Sequence, residues 1–166
     1  MKVRGYVVEN MLHEISRNDQ LTQMNNRNAY ELDRDSIPNI AKHKLGCVYI
    51  DVNDLKFIND TRGHDQGDEM LRYVSMMIVK LFGKEYSYRI GGDEFIAFIP
   101  DPQDLEIRIR EFTQSLEEEG YHAAIGSSIC KVRDIDLEKL VTNAEVIMYR
   151  EKKYYHEKHN RRRRGD

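Results

Sequence analysis

Two spacings alternate along this chain. Apolar residues three and four apart mark helical stripes at Val7, Val8, Met11, Leu12 and Ile15, then at Met70, Leu71, Val74, Met77, Ile78 and Leu81. Two more follow, one at Leu105, Ile109, Phe112 and Leu116 and one at Leu140, Val141, Ala144, Ile147 and Met148. Between the stripes lie short apolar runs that read as strands. Leu45 to Asp51 is a buried central strand ending on an acid, Glu85 to Ile99 reads as a hairpin, and Tyr121 to Val132 is a last strand. Asn26 to Asp33 reads as a helix, Asp19 as the cap of a short turn, Asn53 to Thr61 as a polar helix, and Arg62 to Gly67 as a loop. Gly83 stops the longest central stripe, and Pro100 and Pro102 end the hairpin. The last helix is expected from Leu137 to about Lys158.

This order gives a β-α-β-β-α-β core with additions, the ferredoxin-like α+β arrangement, in which a central antiparallel sheet is flanked by helices. The first and third strands are then central. Asp51 ends the first, and the turn at Gly91 and Gly92 joins the second to the third. That turn reads as a two-residue loop, with glycine supplying positive φ angles. Asp93 and Glu94 follow it directly, so Asp51, Asp93 and Glu94 are expected at one edge of the sheet. Acids flanked by buried strands are costly unless a charge compensates them. Hard oxygen ligands point to Mg²⁺, or to Mn²⁺.

Composition narrows the class. The 166 residues suit one domain, and 40% hydrophobic content supports a core. A net charge of −3, from 26 basic and 29 acidic residues, carries no signature of a nucleic-acid binder. The basic run Arg161 to Arg164 reads as a solvated, frayed tail. No apolar run is long enough to span a bilayer and no signal peptide opens the sequence, so this segment is expected to be cytoplasmic, without membrane contact. Cys47 and Cys130 read as small buried residues in a reducing compartment.

Residues 51 to 68 hold a second cluster. An EF-hand fails there, because Leu55 stands at a ligand position, Lys56 replaces the required glycine and Arg62 replaces the bidentate glutamate. No Gly-x4-Gly-Lys-Ser/Thr phosphate loop occurs. Lys56 suits a phosphate as a point charge. Asn59 and Asp68 suit a purine edge, the carboxylate accepting from N1–H and the 2-amino group of guanine. Equally, Asn59 could cap a helix and Asp68 start the next.

Arg89-Ile-Gly-Gly-Asp-Glu-Phe95 resembles the signature of the GGDEF diguanylate cyclases. The block from Asp51 to Asp68 is similar to that family's Asp-x-Asp/Asn-x-Phe/Leu-Lys-x-x-Asn-Asp-x-x-Gly-His-x-x-Gly-Asp. Asp19 to Arg27 resembles its opening motif, with Gln23 in place of glycine, and Ala144 to Lys152 its final helix. The resemblance implies a palm-like, nucleotidyl-cyclase-like domain that condenses two GTP into cyclic di-GMP across a homodimer. By the same likeness Asp51, Asp93 and the Val52 carbonyl would hold Mg²⁺, with Glu94 as a further carboxylate. Asn59 and Asp68 would read guanine, while Lys56, Lys152 and backbone amides near Leu55 would hold the triphosphate. Asp93, Glu94 and Lys56 would be the catalytic set. Residues 19–160 would then be the catalytic domain and 161–166 a basic tail, while the apolar stripe within residues 1–18 reads either as the end of a longer signalling helix from an upstream sensor domain or as a helix that docks on a partner chain.

The sequence also departs from the family pattern. Where the family often carries Gly-Arg-Asn beyond the last-helix lysine, this chain has Tyr155-His156-Glu157. The slot of the product-inhibition motif Arg-x-x-Asp holds Phe82-Gly83-Lys84-Glu85. The alternative to an active cyclase is a catalytically weak domain that holds GTP and regulates a neighbour.

Overall fold

The computed structural model describes residues 16–164, with side chains up to residue 159. The stripe expected from Val7 to Ile15 lies outside them. In chain order the elements are β1 Asn25–Asn26, α1 Arg27–Asp33, β2 Lys44–Val52, α2 Leu55–Arg62, α3 His64–Phe82 and β3 Ser87–Arg89. They continue with β4 Glu94–Pro100, α4 Leu105–Glu118, β5 Ala123–Lys131 and α5 Leu137–Arg164, plus 3₁₀ turns at Ile37–Asn39 and Val132–Asp134.

The sheet order is β1-β3-β4-β2-β5. From β3 to β5 every pairing is antiparallel, and the short β1 adds to β3 in parallel. The central pair is therefore β2 and β4, as the element order requires. Alternation splits β2 between two cores. Val48, Ile50 and Val52 face α3 and α4, packing with Met70, Val74, Ile78 and Phe112. Leu45, Cys47 and Tyr49 face α5, packing with Leu140, Ala144 and Met148. Asp51 continues the second set and so points towards α5. Glu94, its register partner on β4, falls on the same face as Ile96 and Phe98.

Several expectations change. The loop expected over Arg62 to Gly67 shrinks to Gly63, whose φ of +91° joins α2 to α3 while its N–H caps the Asn59 carbonyl. Gly67 is helical, and a Cβ there would sit 1.9 Å from the Asn59 side-chain oxygen. Helix α2 starts two residues later than expected, at Leu55. The Gly-Gly turn is not a two-residue hairpin. Four residues separate β3 from β4, both Ile90 and Gly91 N–H groups donate to the Glu94 carbonyl, and neither glycine has positive φ. Gly91 serves space instead, since a Cβ would meet Glu94 Oε2 at 2.7 Å. Ile147, expected on the buried stripe of α5, is 41% exposed because Leu140, Ala144 and Met148 already fill the contact with the sheet. The backbone of α5 stays helical to Arg164, past the expected end and through the basic run. Both cysteines are free, Cys47 buried and Cys130 half-buried.

Candidate functional site

The site forms where β2 and β4 end together. Asp51 is 4% exposed, and its Oδ2 accepts from Lys152 Nζ on α5 at 2.8 Å. Its Oδ1 is buried without a partner. Glu94 stands opposite in register and receives the Tyr49 hydroxyl at 3.4 Å, a weak contact. Asp93 is tied in by its carbonyl, which accepts from the Val52 N–H at 2.8 Å. A cleft of about 430 Å³ opens here, its walls including Val52, Leu55, Lys56, Asp93, Lys152 and His156. A neighbouring cleft of about 310 Å³ shares Leu55, Lys56 and Asp93 and extends to Asn59, His64 and Gly92. Lys56 lines both clefts, Lys152 the first and Asn59 the second.

Asn59 and Asp68 are not helix caps. Asn59 lies inside α2, and Asp68 is the fifth residue of α3, whose cap is Gly63. The fit of Asn59 against Gly67 brings α2 up to the turn of α3 that carries Asp68. Asp68 itself is half-buried and does not line either cleft.

A family model described as "Diguanylate cyclase, GGDEF domain" matches residues 16–158. The chain belongs to the GGDEF family. It is 31% identical over 169 residues to diguanylate cyclase DosC of Escherichia coli (strain K12), covering 86% of this chain and 35% of DosC. A diguanylate cyclase of Vibrio cholerae serotype O1 is 26% identical over 155 residues, covering 86% of this chain and 48% of that protein. The cyclic di-GMP phosphodiesterase PdeR of Escherichia coli (strain K12) is 29% identical over 150 residues, covering 83% and 23%. The chain thus spans less than half the length of these relatives. A solved microbial GGDEF domain, described for its interaction with bis-(3′,5′)-cyclic di-GMP, superposes with a TM-score of 0.73 at 31% identity, covering 82% of this chain and 93% of that one. The coiled coil and GGDEF domain of DgcB from Caulobacter crescentus gives 0.75 at 20% identity, covering 92% and 90%, a likeness of fold alone.

The acids of this GGDEF domain are under electrostatic load. Burial, and then the charge of Asp93, hold Asp51 above the ordinary aspartate range even though Lys152 pulls the other way. Burial, then Asp51 and Asp93, raise Glu94 likewise. Burial, the largest influence, pulls Lys152 down, but its bond to Asp51 and the charges of Asp51, Asp93 and Glu94 together raise it. Among the described residues no three Asp, Glu, His or Cys side chains are gathered into a ready-made metal cage. The donor set nevertheless fits a hard divalent cation, because Asp51 offers a buried, unpartnered carboxylate oxygen beside two further acids.

Two contributors escaped sequence reasoning. Arg89 donates to the Gly92 carbonyl at 2.7 Å and to Asp19 Oδ1 at 2.9 Å, tying the signature loop to the opening turn. The same Asp19 oxygen caps Thr22, as the turn reading expected. Tyr155 donates to Asp54 Oδ2 at 2.6 Å from the far end of the chain. Asp54 stands at the start of α2 with a φ of +62°, a left-handed residue without a glycine to mark it.

Proposed function

We propose that this domain is a diguanylate cyclase, joining two GTP into cyclic di-GMP with release of two pyrophosphates. The observation that carries the reading is the paired ends of β2 and β4: Asp51 and Glu94 in register, Asp93 beside them, and Lys56 and Lys152 in the adjoining groove. The names of DosC and the Vibrio cholerae relative point to the same reaction.

In this reading Lys56, Lys152 and the first amides of α2 bind the triphosphate, where uncapped N–H groups and the helix dipole favour anions. Asn59 and Asp68 select guanine. Asp51, Asp93, Glu94 and the Val52 carbonyl would hold Mg²⁺ or Mn²⁺, which supplies charge neutralisation at the reacting phosphate and lowers the pKa of the attacking hydroxyl. The 3′-oxygen of one GTP bonds to the α-phosphorus of the other, the bond to pyrophosphate breaks, and Asp93 accepts the hydroxyl proton. A second turn of the same step closes the ring. Each domain holds one GTP, so two copies must face each other about a two-fold axis. Among the described residues no helix is long and apolar enough to cross a membrane. The proposed setting is a cytoplasmic domain that takes its input from a neighbouring sensor.

Incubation with GTP and Mg²⁺, with products identified by mass, tests the proposal. Cyclic di-GMP and pyrophosphate are expected. Tight GTP binding without product would favour the regulatory reading, to which the exchange of Gly-Arg for Tyr155-His156 and the phosphodiesterase relative lend weight.

A further inference from the structure

Helix α5 touches the end of β2 twice, one turn apart. Lys152 reaches Asp51 at 2.8 Å, and Tyr155 reaches Asp54 at 2.6 Å. Residues three apart share a helix face, so the two bonds close a clamp around Val52 and Asn53. Asn53 is fixed from the other side, its N–H donating to the His122 carbonyl at 2.8 Å. The tyrosine ring is itself immobilised. It stacks on His159 at 3.9 Å between centroids and lies 5.4 Å from His122. His159 Nδ1 meets the Tyr155 carbonyl at 2.9 Å, one turn back along α5.

What the clamp holds is an unfavourable conformation. Asp54, at φ +62° and ψ 11°, occupies the left-handed region, which aspartate enters more readily than most side chains but at a cost that glycine does not bear. It is also the N-cap residue of α2. An aspartate there ordinarily turns its carboxylate onto the first N–H groups of its own helix. Here it makes no such bond, and one carboxylate oxygen instead accepts from the Tyr155 hydroxyl. A carboxylate left on those N–H groups would block them and repel an incoming phosphate.

We infer that Tyr155 is a positioning residue: its hydroxyl pulls the Asp54 carboxylate off the start of α2 and holds the turn open for a nucleotide triphosphate. The inference rests on the nucleotide-binding reading above. It also gives Tyr155, which stands where the family pattern has glycine, a role particular to this chain.

The test compares the wild type with Tyr155→Phe, Asp54→Gly and the double variant. Phenylalanine keeps the stack on His159 and deletes only the hydroxyl. Glycine adopts positive φ without strain and carries no carboxylate to divert. Three measurements are made: the Kd of a non-hydrolysable GTP analogue with Mg²⁺, amide hydrogen exchange over residues 53–58, and the melting temperature. Tyr155→Phe should weaken the analogue about tenfold, the scale of one charged hydrogen bond. It should also speed exchange at 53–58 and leave melting nearly unchanged. In the Asp54→Gly background the same change should do nothing to either readout. Wild-type affinity and exchange in Tyr155→Phe would overturn the inference. So would an equal loss in the Asp54→Gly background, which would mean Tyr155 acts on the nucleotide directly. A wild type that binds no analogue would overturn the nucleotide reading and the phosphate half of this inference, while exchange would still decide whether Tyr155 holds the turn.

Discussion

The β2–β4 pair carries an aspartate at each end, and the two are handled in opposite ways. At one end Asp101, just past β4, accepts from the backbone N–H groups of Lys42, His43 and Lys44 at 2.8, 2.7 and 2.9 Å. Those donors, led by Lys42 and Lys44, hold its carboxyl below the ordinary range. At the other end Asp51 has one ammonium partner and one buried oxygen with none, and burial with the charge of Asp93 holds it above that range. The first carboxylate is saturated by fixed donors and closes a loop. The second is left short of partners where a groove begins. An unsatisfied buried oxygen costs stability, and in the proposed function this is the end kept for a ligand. Substitutions at the Asp51 end should therefore cost function and spare the fold, and substitutions at Asp101 should do the reverse.

The largest effect should come from Asp93→Ala. In the proposed mechanism Asp93 is a metal ligand and proton acceptor, so its loss should lower cyclisation by roughly a thousandfold or more. The melting temperature without divalent cation should hold or rise, because one of three crowded charges is gone. Turnover near wild type in Asp93→Ala would remove the functional half of the contrast.

Next in size is Asp68→Ser. A hydroxyl cannot pair with both guanine donors, and a hydrogen bond to a charged group contributes about 1.5–3 kcal/mol, so preference for GTP over ATP should fall about tenfold or more. Competition binding measures it. Since Gly63, and not Asp68, caps α3, the melting temperature should stay put. A large loss of stability with preference unchanged would move Asp68 to the structural side.

How much of this was legible in the sequence follows from how local each signal is. The period-2 and period-3.6 patterns fixed the element order, and the order brings Asp51 to Glu94 because β2 and β4 must be central neighbours. The two-residue β1 has no periodicity to read. Gly126 looks like any strand glycine, yet a Cβ there would sit 1.9 Å from the Ala144 carbonyl, so it sets how closely β5 meets α5. Gly63 alone separates two helices because one positive φ suffices, where two glycines suggested a longer loop. The Asp54–Tyr155 bond joins residues 101 apart, and the positive φ it accompanies falls on an aspartate. Asp101 carries no local signal of its role, since its three donors, at the start of β2 and just before it, lie 57 to 59 residues away in the chain.

Asp101→Asn tests the structural end. An amide keeps one acceptor but turns an N–H₂ towards backbone donors, so the melting temperature should drop by several degrees. Turnover per folded molecule should be unchanged, as the site lies at the opposite end of both strands. The acid limb sharpens the point. A depressed carboxyl gives stability that is present above its ordinary pKa and is lost as pH falls through the folded value. The wild type should therefore lose stability on acidification more steeply than Asp101→Asn. Parallel acid limbs would mean that the three donors do not distinguish Asp101 from a surface carboxylate.

Glu94→Gln is read for a small effect on stability, opposite in sign to that of Asp101→Asn. Burial and the charges of Asp51 and Asp93 raise the folded pKa of Glu94 above its ordinary 4.5. For a raised carboxyl the stability is fully present below the unfolded value and is lost as pH rises through the folded one. At neutral pH without divalent cation Glu94 is therefore a net cost, and glutamine removes the charge while keeping the shape. The melting temperature should rise by about 1–3 °C at pH 7 and converge with wild type near pH 4. Added Mg²⁺ should reverse the ranking, stabilising the wild type by mass action and the variant less, because one ligand oxygen has lost its charge. Titrating melting temperature against pH, with and without Mg²⁺, separates the two causes. A variant less stable than wild type in metal-free buffer at pH 7 would mean that Glu94 is held by its contact with Tyr49 and is not strained by its neighbours. The two ends of the strand pair would then differ only in degree.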